Sequence, residues 1–597
     1  MLVFVGEYLK QYRRISRVDI LFGIAGAQYG FTVSLEMFLT YRVSIIMPLR
    51  FKQHLLGGLV ALVAFLLIPS LKAATYYVDY ANGNDISIGT STAAPFKHCP
   101  GDNSATSIAA STALMSGDSI IFKGGVSYTG QIGVNWSGSN GRAVTYDGNS
   151  AGSWGSGKAI IDQQHTLGLT GGFVAGSAKS YITIKNFIIK NVGGYYPVPS
   201  PRGCANSIGA PAQSSNGGVV FDQGGSYLTV SDCAFSEIGE WHNTDPFTGN
   251  AISGACVWFN DASHVLIASN DFTKSMMGAA IKAQSANITD IEIVGCQFHN
   301  YLVWSIDISP RSQGRTLSDI RIHDNQFYNY AEYTSGMWTG CGSAPHVDNI
   351  YLRVDYDNTT WTSTKIYNNW FYVENYSGAG GSACIALSQQ GGADIFNNVF
   401  NNTLHPSIVV RGGPRAGGSS QTNNIFNNTF YNGSSAIVIS SQGGAAPIGV
   451  IRILNNVFYD IRSGWGFAID QYDADANPTI LDYNLYYFSG SSDHDLIRRP
   501  QGILTLSSAR VAGYESHGMG ADPLFVSIAG GQLNPAINNL SLSATSPAIG
   551  AGTNMNAYWR FDRNGVDRGT IWDMGAYQFS GGLQRPVSPF NLRTNAP

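Results

Sequence analysis

An all-β solenoid, wound as a parallel β-helix of about ten or more coils and closed by a C-terminal segment, is the fold this sequence predicts. Three observations predict it. One short phrase recurs along the chain at the spacing of a coil. The stretches between copies alternate as strands do and are too short for a packed helix. Finally, 70 glycines in 597 residues, with many Asn and Ser, supply the tight turns that such winding needs.

The phrase reads apolar, any residue, polar, Asn or Cys, any residue, Phe. Copies are Ile267-Ala-Ser-Asn-Asp-Phe272, Ile293-Val-Gly-Cys-Gln-Phe298, Ile322-His-Asp-Asn-Gln-Phe327 and Ile366-Tyr-Asn-Asn-Trp-Phe371. Ile395-Phe-Asn-Asn-Val-Phe400, Ile425-Phe-Asn-Asn-Thr-Phe430 and Ile453-Leu-Asn-Asn-Val-Phe458 follow. From Ile267 onward the intervals are 26, 29, 44, 29, 30 and 28 residues, room for three strands and three turns. A lone coil cannot bury its apolar face, whereas stacked coils can. Stacking sets equivalent residues about 4.8 Å apart. Asn270, Asn325, Asn369, Asn398, Asn428 and Asn456 then form one ladder, each amide bonding the next and taking the left-handed turn conformation. The phrase's Phe residues stack inside. Both sets are scaffold.

This coil phrase resembles the right-handed parallel β-helix of the pectate-lyase-like superfamily, over roughly residues 75–530. Asp522-Pro-Leu-Phe525, Ser546-Pro-Ala-Ile-Gly-Ala-Gly552 and Asp573-Met-Gly-Ala-Tyr577 resemble the closing segment of many secreted bacterial β-helix proteins. Residues 531–597 are accordingly expected to cap the last coil and cover its open edge.

The other end carries an address. Arg50 and Lys52 precede an apolar run from Leu55 to Ile68, and small residues follow to Ala74. That is the layout of a secretory signal peptide over residues 47–74. The run is shorter than the roughly 20 residues that span a bilayer. Residues 1–46 read as a non-native upstream extension, and no membrane span is expected after the leader is removed. The expected location is secreted or at the cell surface, outside the membrane or in the periplasm. Charged residues make up 12% and net charge is -4, so there is no basic stripe for nucleic acid. A monomer is expected. The seven cysteines are scattered with no C-x-x-C pair. Cys233 and Cys296 fall two coils apart, too far for a disulfide.

Insertions at about 191–216, 239–254 and 331–348 all follow a Phe strand and precede the next strand. They emerge from one corner and wall one side of the sheet that comes next. In the superfamily this sheet carries the substrate groove. Alternation along its strands points Trp258, Asn260, Lys282, Asp307, Ser309, Arg353, Asp355 and Arg411 outward. On a face otherwise lined by Ser, Ala and Val, they read as an exposed glycan-binding patch. Lys282 or Arg353 would abstract the C5 proton of a uronate if burial or nearby cations lower the pKa. Arg311 and Arg411 would clamp sugar carboxylates. Asp307 and Asp355 would hold a Ca²⁺ ion, and Trp258 would stack on a sugar ring. Two of the insertions add Trp241, His242, Trp338 and His346, candidates for acid–base or sugar-binding roles.

Three functions fit these residues. One is a polysaccharide lyase cleaving an acidic glycan by β-elimination. Another is a non-catalytic glycan-binding or adhesin β-helix. The third is a glycoside hydrolase using two of Asp307, Asp355, Asp222 and Glu240. Asn243-Thr-Asp245, Gly152-Ser-Trp-Gly-Ser-Gly-Lys158 and the Asp470, Asp473 and Asp475 group look like motifs, but their contexts do not support a site.

Overall fold

The computed structural model describes residues 73–581, apart from 167–168, 196–216, 243–250, 330–346, 374–380, 390–391, 404, 419–421, 442–447, 462–465, 472–478 and 490–494. At 194–195, 240–242, 251–253, 301–302 and 381–382 it describes the backbone alone. The leader and the upstream extension lie outside the described residues, Ala73 and Ala74 excepted.

Each coil contributes a strand to three faces. The first face is a 13-stranded sheet whose neighbours all pair in parallel, running from Thr75–Val78 to Thr479–Asp482. The second face holds the Phe strands, such as Phe400 paired with Phe430 and Phe430 with Phe458. The third face is the sheet that follows the insertions. Asp271–Ala283 and Gln297–Pro310 turn the corner between second and third faces without a break, so both faces belong to one sheet. The chain is a parallel β-helix. No helix among the described residues is long and apolar enough to cross a membrane.

The Phe column stacks as expected. Ring centroids from Phe235 through Phe272, Phe298, Phe327, Phe371, Phe400, Phe430 and Phe458 to Tyr486 are 4.7–5.1 Å apart, nearly coplanar in orientation. Small residues on the third face make room for it. A Cβ added at Gly278 would stand 2.7 Å from Phe298, and one at Gly218 would stand 2.8 Å from Phe235.

The Asn ladder is real, with two refinements. Its amides run one way: Asn325 Nδ2 donates to Asn369 Oδ1 (3.0 Å), and Asn369, Asn398, Asn428 and Asn456 each donate to the next. Asn484 receives the last of these and donates to Glu515 Oε1 at 2.7 Å. A carboxylate suits that end because it only accepts. Upstream, Cys296 replaces an amide, taking the Asn270 N–H on its sulfur at 3.4 Å. The sequence reading gave each ladder Asn a second job, the left-handed turn, and this is corrected. The residue before it has positive φ, as Asn368 (57°), Asn397 (54°), Asn427 (53°) and Asn455 (58°).

The C-terminal segment also differs from expectation. Its described part, up to Gly581, lies along the flank between the first and second faces. Met555, Trp572, Tyr558 and Trp559 pack on Tyr367, Phe396 and Phe426. The left-handed Asn residues bind its backbone: Asn397 Nδ2 donates to Phe561 O (2.8 Å), Asn427 to Asp573 O (2.9 Å) and Asn455 to Thr553 O (2.7 Å). The last coil is closed earlier, by the helix Leu506–Val511 with its Thr505–Ser508 capping box. Its Ala509 joins the core. Cys233 and Cys296 are free and buried.

Candidate functional site

The third face is built by parallel rungs whose outward columns follow the strand alternation. One column runs Val220, Trp258, Ala280, Asp307, Tyr351, Ala386 and Val409. The next column starts with Asn260, Lys282 and Ser309. The predicted charged residues do come together here, since Lys282, Asp307, Arg353 and Asp355 form one cluster.

The cluster is covered, and this corrects the expectation of an exposed patch. Relative exposure is 0% for Lys282, 1% for Asp307, 3% for Trp258 and 6% for Asn260. Side-chain exposure of Arg353 is 20%. Alternation predicts which way a side chain points, not whether something lies over it. Trp258 is therefore no open stacking platform. It packs with Met277, Ala280 and Val220, and the Arg311 guanidinium stands 5.8 Å from its ring centroid. Asn260 donates its amide to Asp222. Arg311 and Arg411 are exposed.

Lys282 ion-pairs with Asp307 and donates to Ser309 Oγ at 2.9 Å. Burial pulls the Lys282 ammonium down, Asp307 pushes it back up, and Arg311 and Arg353 lower it again, leaving it at about 7. Burial alone would raise Asp307, but Lys282 and Arg353 outweigh it and hold the carboxyl at about 2. Arg353 lies 3.6 Å from Asp307 Oδ1 and donates to Asp355 Oδ2 at 2.5 Å. Burial alone would lower Arg353, yet these carboxylates raise it, so it is a fixed cation and does not suit the role of base. Trp304 and Tyr351 flank its guanidinium at 5.6 and 5.5 Å. The sequence reading missed both. Tyr351 alternates with Ile350 and Leu352, which was an available signal, whereas Trp304 shares the parity of inward Ile306 and strand alternation gave none.

Of the two carboxylates expected to hold Ca²⁺, Asp307 meets Lys282 through Oδ2 and Asp355 meets Arg353 through Oδ2, while Asp307 Oδ1 is buried without a hydrogen-bond partner among the described residues. No group of three or more His, Cys, Asp or Glu among the described residues is placed to hold a metal. His346 and Trp338 lie outside the described residues. Trp241 and His242 end the strand Ala234–His242, which pairs antiparallel with Ala251–Ser253, and their side chains also lie outside. Glu240 sits on the same strand. Asp470 is held bidentately by Arg498 at 2.7 and 2.6 Å, whereas Asp473, Asp475 and Asn243-Thr-Asp245 lie outside the described residues.

A second charged cluster, on the outward side of the first face, was also missed. Arg321 meets Asp319 (2.5 Å), Asp290 (2.6 Å) and Glu292 (3.3 Å). His323 meets Asp324 (2.7 Å) and Glu292 (3.1 Å), and His264 meets Asp290 (2.8 Å). Burial would lower His323, but pairing with Asp324 and Glu292 raises it overall. Every group here is partnered, so the cluster reads as a cross-strand network.

No protein-family model and no curated protein matches the chain. Several solved structures are similar in fold. Pectate lyase Pel9A is 14% identical with a TM-score of 0.42, over 85% of this chain and 98% of its own. XylC, solved in complex with xylose, is 10% identical with a TM-score of 0.47, over 85% and 98%. A GH136 lacto-N-biosidase from Eubacterium ramulus is 12% identical with a TM-score of 0.35, over 68% and 72%. At these values the likeness carries no argument about activity, and the fold rests on this chain's own strand pairing.

Proposed function

We propose that the protein is an exported carbohydrate-active β-helix, a polysaccharide lyase that cleaves an acidic glycan by β-elimination. One observation carries the reading. Lys282 sits on the outward side of the third face in one cluster with Asp307 and Arg353, near Arg311, so that cations fit to bind a uronate carboxylate stand beside an amine that burial pushes down toward the range of a base. Arg353 would neutralise that carboxylate and so acidify the C5 proton. Lys282 would take the proton, being neutral in a useful fraction near pH 7. The hydrolase alternative needs a carboxyl on this face that keeps its proton, and Asp307 is held ionised.

One observation favours the second reading, a non-catalytic glycan binder: Lys282 has no exposed surface, so its amine reaches substrate only if the face opens above it. The test is incubation of the full-length chain with uronate polymers, following the ultraviolet absorbance of the unsaturated product, with and without EDTA. A rise that Lys282→Ala abolishes supports the lyase. Loss of the rise in EDTA adds the Ca²⁺ requirement to the proposal. New reducing ends without the chromophore move the reading to a hydrolase. Retention of glycan without cleavage moves it to a binder.

A further inference from the structure

The column beginning at Asn260 alternates along the helix axis. Asn260 pairs with Lys282 and Lys282 with Ser309. The register that pairs Ile308 with Leu352 sets Ser309 beside Arg353. Arg353 pairs with Ser388, Ser388 with Arg411, and Arg411 with Ser440. From Lys282 onward the column therefore reads cation, serine, cation, serine, cation, serine. Cations recur every second rung, about 10 Å apart. The neighbouring column from Ala280 through Asp307, Tyr351, Ala386 and Val409 to Val438 holds no cation to fill the gaps. Lys282 is buried and paired with Asp307, Arg353 is partly exposed and paired with Asp355 and Asp307, and Arg411 is exposed.

At the upstream end the face changes character. Trp258 Nε1 and Asn260 Oδ1 are buried and have no hydrogen-bond partner among the described residues. Each is a single neutral donor or acceptor on the outward side of the strand Ala255–Asn260. Such groups match hydroxyls of a neutral sugar.

An extended glycan advances by about one rung per pyranose ring. A homouronan carries a carboxylate on every ring, and at Ser388 it would meet a hydroxyl and no charge. Desolvating an anion without a counter-charge is unfavourable. We propose that this face takes a glycan of alternating acidic and neutral sugars laid along the helix axis, with acidic groups on Arg353 and Arg411 and a neutral ring over Ser388. The assignment deepens the proposed function and rests on its glycan reading of the same face.

The test is affinity electrophoresis of the full-length chain through gels containing hyaluronan, chondroitin or rhamnogalacturonan, against polygalacturonate or alginate, at one low ionic strength. Unsaturated product is read in parallel. The expected result is stronger retardation by at least one alternating glycan than by either homouronan. Arg411→Ser should weaken that retardation about tenfold, the worth of one charge-assisted contact. Ser388→Arg, which fills the empty rung, should move the preference toward the homouronans. Both positions are on the surface of the sheet, and circular dichroism checks that the variants fold. Stronger retardation by a homouronan, an unchanged preference in Ser388→Arg, or no retardation by any glycan overturns the proposal. Preference for an alternating glycan without product sinks the lyase reading and leaves this one standing. Product with a homouronan preferred does the reverse.

Discussion

Two outward surfaces of this solenoid are covered, and their own strands bring different residues to the cover. On the flank beneath the C-terminal segment, Asn397, Asn427 and Asn455 give their amides to backbone carbonyls, and Tyr367, Phe396 and Phe426 meet Met555 and Trp572. Most groups there are neutral, and burial costs little once each amide has a partner. The buried cation there, Arg568, donates to Asn397 Oδ1 (3.1 Å) and stands among the buried carboxylates Asp562 and Asp573 of the same segment. On the third face, burial falls on Lys282 and Asp307, two full charges. Such a pair stabilises poorly compared with apolar residues of the same volume. The flank is thus built as an interface for the chain's own segment. The third face carries an electrostatic burden that packing alone does not require, which is why the function is sought there.

The comparison can be broken at several points. The largest effect is expected from Asp307→Asn. Leaving Lys282 buried without its counter-charge should cost about 3–5 kcal/mol in denaturant unfolding. The loss should be greater at pH 5 than at pH 9, because at high pH the amine escapes by shedding its proton. If the double variant Lys282→Met with Asp307→Leu is also strongly destabilised, the pair is structural after all. It should instead be near neutral or more stable, and inactive on glycan.

On the flank, Met555→Ala should cost about 2 kcal/mol or more, since it empties a packed aromatic contact with no charge in it, and the cost should not change between pH 5 and pH 9. A pH-dependent loss there would erase the contrast between the two surfaces.

A subtler sign test follows from Lys282. Its folded value of about 7 lies below the ordinary 10.5, so the unfolded chain binds more protons between these values. Its contribution to stability should rise with pH across that window, and Lys282→Met should flatten the slope. His323 behaves in the opposite sense. Its folded value is raised above 6.5, so its contribution is fully present below 6.5 and is lost as pH rises through the folded value. His323→Asn should remove that loss, with the smallest change of the set. An unaltered pH profile would show that the Glu292 and Asp324 contacts contribute nothing.

Much of this was legible beforehand because it is local and repeated. Ile395-Phe-Asn-Asn-Val-Phe400 and its copies state the coil, the Phe stack and the Asn ladder in six residues, and stacking only has to multiply them. The outward direction of Lys282, Asp307 and Arg353 followed equally from strand alternation. The division of labour between Asn397 and Asn398 did not, because φ and amide direction are set by the neighbouring coil. Glu515 as the end of the ladder was also hidden, since it lies in a turn with no phrase around it.

The sequence by itself determined the winding and the outward direction of Lys282, Asp307, Arg353 and Arg411, which follow from a repeated phrase and from strand alternation. Only the tertiary structure decided that Lys282 and Asp307 are buried and that the described residues from Asp522 to Gly581 lie along a flank. Burial and docking depend on segments far apart in sequence meeting across coils. That meeting displaces water from a charge, and no local pattern records it.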